Sequence, residues 1–165
     1  MRELKFYHAG VDTFGARQVA RQVKASGPLL IEGYASLFGQ TDAGGDVVRA
    51  GAFARSLNLS RDLPMLLQHR NGAVAGRWTR AVEDGRGLFV RGLIESEGAR
   101  TLTAQGLNGL SIGFRAVDWR PNAAGGRDLN RVELVEVSLV SSPMLNTARF
   151  KVLGGVRDTS SLQYV

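Results

Sequence analysis

From Leu29 onward, the chain consists of short apolar segments separated by glycine-rich breaks. The breaks include Gly44-Gly45, Asp84-Gly85 and the run Asn122-Ala123-Ala124-Gly125-Gly126, and such sequences mark turns. Apolar segments of this length between turns are typical of β-strands. We predict six strands, at residues 29–38, 63–69, 75–82, 88–94, 111–119 and 131–140.

Two short helices are predicted among these strands. Residues 52–57 carry Phe53 and Leu57 at i and i+4 spacing, and residues 97–105 follow Ser96, which is a favourable N-cap. A doubly wound sheet would instead alternate its strands with helices of about 10 to 15 residues. The pattern therefore predicts an α+β fold that is mostly β, a small antiparallel barrel with a few peripheral helices.

The length of 165 residues suits one main domain. We place it at residues 29–150, after an N-terminal arm or strand at 1–28. Residues 151–165 contain Gly154-Gly155 and Ser160-Ser161 and are predicted to form a flexible C-terminal tail. The glycine-rich stretches 41–46 and 121–127 are expected to be easily displaced as well.

The composition excludes several kinds of site. The chain has no cysteine, and its two histidines, His8 and His69, lie far apart in sequence. Disulfides and cysteine-based zinc sites are therefore excluded, and we expect no metal and no cofactor. The first residues lack the apolar segment of a signal peptide, and no stretch approaches the roughly 18 apolar residues of a membrane span. We expect a cytoplasmic protein without a membrane partner.

The net charge of +6 raises the question of nucleic-acid binding. The arginines, however, are scattered from Arg2 to Arg157, often have an acid beside them, and form no basic run of five or more residues. The charge therefore favours a solvated surface, and we expect no specific nucleic-acid partner. A small nucleic-acid-binding barrel stays open as an alternative that rests on charge alone.

Three side chains that could together carry out acyl transfer stand within apolar segments: His69, Ser111 and Glu136. An unpaired carboxylate in apolar surroundings is costly, so Glu136 requires a partner, and an imidazole is the obvious one. A histidine held by a carboxylate can in turn take the proton of a serine hydroxyl. Ser111 stands between Gly109 and Gly113, which we expect to leave space for a substrate backbone.

Two other acids bear on the third role, and one of them is an alternative to Glu136. Glu133 precedes it by three residues and should lie on the opposite face of the strand. Asp46 follows Gly44-Gly45 and is the main rival for the third role, although stabilisation of its loop is the more favoured interpretation. Backbone N–H groups near Ser111, or in Ser141-Ser142, are candidate donors to an oxyanion.

The residues around these positions occur in the order found in a known family. The matching blocks are Gly33-Tyr34-Ala35-Ser36-Leu37-Phe38, Asp46-Val47-Val48 leading into Gly51-Ala52-Phe53, Gln68-His69, Gly87-Leu88-Phe89-Val90-Arg91-Gly92, Leu110-Ser111-Ile112-Gly113-Phe114, and Glu136-Val137-Ser138-Leu139-Val140 with Pro143. Through them the chain resembles the prohead proteases of tailed phages, which are serine peptidases distantly similar to the herpesvirus assemblins.

The resemblance implies an assemblin-like fold and a serine endopeptidase in which Ser111 is the nucleophile, His69 the base and Glu136 the third member. Assemblins have a second histidine in place of Glu136. The implied substrates are the scaffolding segment of the major capsid protein and the protease itself, cleaved in the bacterial host inside the assembling procapsid of a phage or a gene transfer agent. Whether the chain forms a homo-oligomer is left open. The alternative is a catalytically silent capsid-interior scaffold protein with the same fold.

Overall fold

The computed structural model describes residues 27–59 and 62–156. Nearly all of the predicted N-terminal arm, and residues 157–165 of the predicted tail, lie outside the described residues. Within these ranges the chain forms eight strands and two helices: β1 (Leu29–Leu37), β2 (Val47–Val48), α1 (Ala54–Leu59), β3 (Pro64–Leu67), β4 (Val74–Glu83), β5 (Gly87–Ile94), α2 (Glu97–Ala104), β6 (Gly109–Pro121), β7 (Arg127–Val140) and β8 (Phe150–Gly155).

The strands form one sheet in the order β2-β7-β3-β4-β5-β1-β8, and β6 also pairs with β7. A bridge between Gly109 and Arg149 joins β6 to the start of β8. It is flanked by two bonds of 2.9 Å, from Leu110 N–H to Ala148 O and from Phe150 N–H to Asn108 O. The sheet therefore closes into a barrel. Only the β2–β7 and β3–β7 pairs are parallel among the described strands, so the predicted fold class is confirmed.

The apolar core follows the alternation of side chains along the strands. In β5, Leu88, Val90, Gly92 and Ile94 are buried, whereas the alternate residues Phe89, Arg91 and Leu93 are only partly so. In β7, buried and exposed residues alternate from Val132 to Val135, but from Glu136 to Val140 all residues are buried. The C-terminal end of β7 is therefore covered on both faces.

The predicted flexible tail is wrong for residues 151–155. These residues extend β8 along β1, with Lys151 opposite Glu32 and Val152 opposite Ile31. After Phe150 the side chains of β8 are exposed, so its order rests on the backbone ladder and on the Lys151 to Glu32 ion pair of 3.1 Å. Neither contact produces an apolar pattern that the sequence could reveal.

The second helix agrees with the prediction to within one residue at its end, whereas the first helix is shifted along the chain. It begins at Ala54 rather than at residue 52, because Glu83 accepts hydrogen bonds from Gly51 N–H at 2.7 Å and Phe53 N–H at 2.8 Å, and these residues form the turn before it. Ser96 caps the second helix as predicted, accepting from Ala99 N–H. The two-residue strand β2 was too short to be recognised.

The two glycine-rich stretches are bound to each other. The carboxylate of Asp46 accepts hydrogen bonds from the backbone N–H of Arg127 at 2.9 Å and from its guanidinium. Asn122 donates to Gly45 O at 2.9 Å, and a Cβ on Gly126 would lie 2.0 Å from that oxygen. These hydrogen bonds hold the two stretches together here, and the expectation that they are easily displaced stays a prediction. The contact between the two stretches holds both of them in place at one end of the barrel.

We predict that Asp46→Asn destabilises the domain by about 1–3 kcal/mol at neutral pH, because it removes charge-assisted bonds to Arg127. Arg127 holds the pKa of Asp46 below its ordinary value. The stabilisation is therefore present at neutral pH and is lost as the pH falls through that lowered pKa. Thermal unfolding of wild type and variant should converge in acid.

The control is Asp128→Asn, which breaks the more exposed pair with Arg49. An exposed pair is worth roughly 0–1 kcal/mol, so this variant should lose little. Equal losses from the two substitutions would contradict the assigned role of Asp46.

Candidate active site

The register of β6 and β7 gathers the candidate residues onto one face. Ser111 lies opposite Ser138, and Gly113 lies opposite Glu136. Because residues i and i+2 of a strand point to the same side, all four share one face of this strand pair. The opposite face carries Val137 and Leu139 into the apolar core.

This face of β7 is buried although it carries polar side chains. Glu136 is 7% exposed and Ser138 is 0% exposed. Buried polar groups require hydrogen-bond partners. Glu136 and Ser138 find partners in each other and in His69, which lies just after the neighbouring strand β3.

The backbone turns sharply where β3 ends at Leu67. Gln68 and His69 both have left-handed conformations, with φ of 54° and 55°, which non-glycine residues seldom adopt. Gln68 N–H donates to Leu139 O at 2.9 Å, and His69 N–H donates to Ser138 Oγ at 3.2 Å. These bonds hold the turn against β7 and direct the imidazole toward Glu136.

The His69 ring and the Glu136 carboxylate are in direct contact. Nδ1 of His69 lies 2.5 Å from Oε1 of Glu136, and Ser138 Oγ donates to Oε2 of Glu136 at 2.6 Å. An ionised carboxylate can only accept, so Nδ1 carries the proton. In the neutral imidazole Nε2 is then left with a free lone pair. The His69 side chain is 41% exposed, so its ring remains accessible.

Ser111 lies beside this pair. It is 3% exposed, and among the described residues its Oγ has no hydrogen-bond partner. The structure thus joins His69 to Glu136 and places Ser111 on the same face without a hydrogen bond to His69. Ser111 also lines a groove between β6 and the end of β1, together with Ala35, Leu37, Asp42, Ile112 and Met144.

The glycines beside Ser111 accommodate the protein itself rather than a substrate, so this part of our expectation is wrong. A Cβ on Gly113 would lie 2.3 Å from Glu136 Oε1. A Cβ on Gly109 would lie 2.4 Å from Val140 O and 3.0 Å from Cδ of Pro143. Gly113 is required because the Glu136 carboxylate occupies the space above it.

The rival acid Asp46 and the nearby Glu133 have other partners. Asp46 is committed to Arg127, in agreement with a role in stabilising its loop. The side chain of Glu133 is 57% exposed and pairs with Arg115. Of the candidate oxyanion donors, Ser141 N–H donates to Gln68 Oε1 at 3.3 Å and is therefore already engaged.

Sequence reasoning overlooked Ser138 and the side chain of Gln68. Ser138 follows Glu136 by two residues, so strand alternation could have placed it on the same face. The amide of Gln68 both donates to Ser141 Oγ and accepts from Ser141 N–H. No sequence pattern announces this contact, because the two residues lie 73 positions apart.

Within the described residues, His, Cys, Asp and Glu side chains form no group of three or more that could hold a metal ion. Neither of the two described helices is long and apolar enough to cross a membrane.

Comparison with known proteins gives concordant results. A family model for the caudovirus prohead serine protease matches residues 17–160. The prohead protease of Enterobacteria phage HK97 is 32% identical over 146 residues, which cover 82% of this chain and 65% of that protein. The capsid scaffolding protein of Equine herpesvirus 1 (strain Ab4p) is 35% identical over 81 residues, which cover 48% of this chain and 12% of that protein.

Among solved structures, the KSHV protease in complex with a hexapeptide phosphonate inhibitor has the same fold. Its TM-score is 0.55 at 14% identity, over 79% of this chain and 66% of that chain. The chain spans less than two thirds of the length of each of these three proteins.

We predict that Gly113→Ala keeps the fold but displaces Glu136 from His69. The added Cβ would clash with Oε1, Cδ and Cγ of Glu136, and this flexible side chain can move more easily than the backbone. The ¹H and ¹⁵N resonances of the His69 ring should shift, and a crystal structure should show the carboxylate moved away from Nδ1.

Gly98→Ala is the control, because no atom lies within 4 Å of the Cβ that it adds in helix α2. It should leave the His69 resonances unchanged and stabilise the helix by roughly 0.5–1 kcal/mol. Unchanged His69 resonances in Gly113→Ala would contradict the packing described.

Proposed function

The chain belongs to the caudovirus prohead serine protease family, and we propose that it is a serine endopeptidase that uses Ser111, His69 and Glu136. The observation that carries the proposal is the 2.5 Å contact between His69 Nδ1 and Glu136 Oε1, on the strand face that also carries Ser111. This pairing leaves Nε2 as a proton acceptor, and the Ser111 hydroxyl has no other hydrogen-bond partner among the described residues.

In the proposed reaction, Ser111 Oγ attacks the scissile carbonyl carbon while His69 Nε2 takes its proton. Glu136 keeps the Nδ1 proton in place and stabilises the imidazolium that forms. The imidazolium then donates its proton to the leaving amine, and water hydrolyses the acyl-enzyme by the same route. The Ser111 hydroxyl makes no hydrogen bond to His69 in the unliganded chain, and such bonds commonly tighten only when substrate binds.

The groove beside Ser111 offers a place for an extended substrate. Leu110 N–H points away from β7, toward Ala148 O. Because this direction alternates along an antiparallel strand, the N–H and C=O of Ile112 also point away from β7, into the groove. Beyond the bridge at Gly109, no described strand pairs with this edge of β6. A peptide backbone could add there as a further strand and bring its carbonyl to Ser111.

The proposed substrate is the scaffolding segment of the major capsid protein, cleaved within the assembling prohead, with cleavage of the protease itself as a second event. Support comes from the family and from the two relatives, whose names refer to a prohead protease and a capsid scaffolding protein.

A catalytically silent scaffold protein with the same fold is not favoured. A buried ion pair can often be replaced by well-packed apolar residues without loss of stability. A chain that uses this fold only for assembly would gain nothing from burying Glu136 beneath His69. The nucleic-acid alternative is weakened as well, because Arg49, Arg91 and Arg127 are each paired with an acid.

We predict that Ser111→Ala and His69→Ala each reduce processing of the capsid protein by roughly 10⁴- to 10⁶-fold, and that the double variant is scarcely worse than either. Each variant would be co-expressed with the capsid protein of the same genome, and the products identified by mass. Circular dichroism and thermal unfolding serve as the folding control. Processing by Ser111→Ala at the wild-type rate would refute the proposed mechanism, because the activity would then not depend on the Ser111 hydroxyl.

Glu136→Gln should retain a small fraction of the activity. The amide keeps the shape of the side chain but cannot stabilise the imidazolium with a full charge. Glu133→Gln is the matched control, because this acid is exposed on the same strand and should leave turnover unchanged. Equal turnover by the two variants would exclude Glu136 from the mechanism.

A further inference from the structure

Ser138 connects Glu136 and His69 through a single oxygen. Its Oγ donates to Glu136 Oε2 at 2.6 Å and accepts from the backbone N–H of His69 at 3.2 Å. The residue is 0% exposed, so water does not substitute for either contact. The imidazole and the carboxylate are therefore held by one hydroxyl as well as by their own bond.

Each contact satisfies a requirement that no other described group meets. Oε1 of Glu136 is occupied by His69, and Oε2 would be left buried without a donor if the hydroxyl were absent. Leaving a buried charged acceptor unsatisfied costs about 1–3 kcal/mol or more. The His69 N–H bond holds a left-handed backbone that a non-glycine residue would otherwise tend to leave.

The position of Ser138 argues against its being the nucleophile. Its proton is committed to Glu136, and the residue is not part of the groove that Ser111 lines. It faces Ser111 across the strand pair, yet Ser111 Oγ receives no hydrogen bond from it. The lone pairs and the proton of Ser111 thus remain available for His69.

We infer that Ser138 is a positioning residue that fixes the Glu136 carboxylate and the His69 backbone in the geometry needed for proton transfer. This inference rests on the proposed function for its kinetic consequences, but its structural part can be tested without catalysis. Ser138 touches no reacting atom, so its removal should affect turnover through His69 and Glu136 alone.

The first test uses the inactive Ser111→Ala variant and a spectroscopic signal. The short, charge-assisted bond between His69 Nδ1–H and Glu136 should give a low-field proton resonance. Adding Ser138→Ala should move this resonance upfield or abolish it by exchange with water. Adding Ser56→Ala is the matched control, because Ser56 is also buried but accepts from Leu134 N–H at 2.7 Å, away from the site.

The second test measures turnover of a peptide spanning the cleavage site that mass analysis of the capsid products identifies. Ser138→Ala should lower kcat by roughly 10- to 100-fold through misplacement of the base, with KM changed by less than about twofold. In a Glu136→Gln background, the same substitution should add less than about twofold, because the two residues act as one unit. Ser138→Cys keeps the volume with a weaker donor and should fall between serine and alanine.

A low-field resonance and a kcat that are the same in Ser138→Ala and Ser56→Ala would overturn the inference, as would full additivity with Glu136→Gln. Should Ser138→Ala fail to fold, Ser138→Cys provides both readouts. Failure of the proposed function would give a different result. Ser111→Ala would then still process capsid protein, whereas the effect of Ser138→Ala on the low-field resonance of His69 would remain as predicted.

Discussion

The carboxylate of Glu136 is buried against the outer face of β7, and much of the local architecture follows from that placement. A charge in such a position must be surrounded by donors, and two are supplied, by His69 Nδ1 and by Ser138 Oγ. The carboxylate also needs space, which the missing side chain of Gly113 provides. The turn at Gln68 and His69 adopts left-handed backbone angles to bring the imidazole there. One charged group thus accounts for the strained turn at His69, for the glycine at position 113 and for the buried Ser138.

The barrel organises this site through a single strand. β7 pairs with β6, β3 and β2, so it is the only described strand with three partners. Its pairing with β6 sets Ser111 beside Ser138, and its pairing with β3 delivers the residues that follow Leu67. At the other end of the groove, Asp46 and Arg127 bind two loops that would otherwise be free to move. β7 therefore positions both Ser111 and the pair formed by His69 and Glu136.

The fold class could be predicted because turn residues and short apolar segments report local preferences directly. The pairing of His69 with Glu136 followed from the cost of an isolated buried acid. Other features could not be inferred, because they depend on contacts distant in sequence. β8 is held by backbone bonds to β1, and Gly113 is needed only because Glu136 lies opposite it. The serine at 138 looked like an ordinary strand residue until its neighbours were known. Assignment of Ser111 as nucleophile came from the family resemblance and remains a prediction.

The shared strand also links correct folding to chemistry. Along β7, Glu136 and Ser138 alternate with Val137 and Leu139, which enter the core. A slip of one residue in the pairing of β7 would exchange these two sets, turning the acid inward and the apolar side chains toward His69. Such a chain would lose its charged pair at the same moment as its core. A misregistered copy would therefore lack the contact between His69 and Glu136 on which the proposed reaction depends.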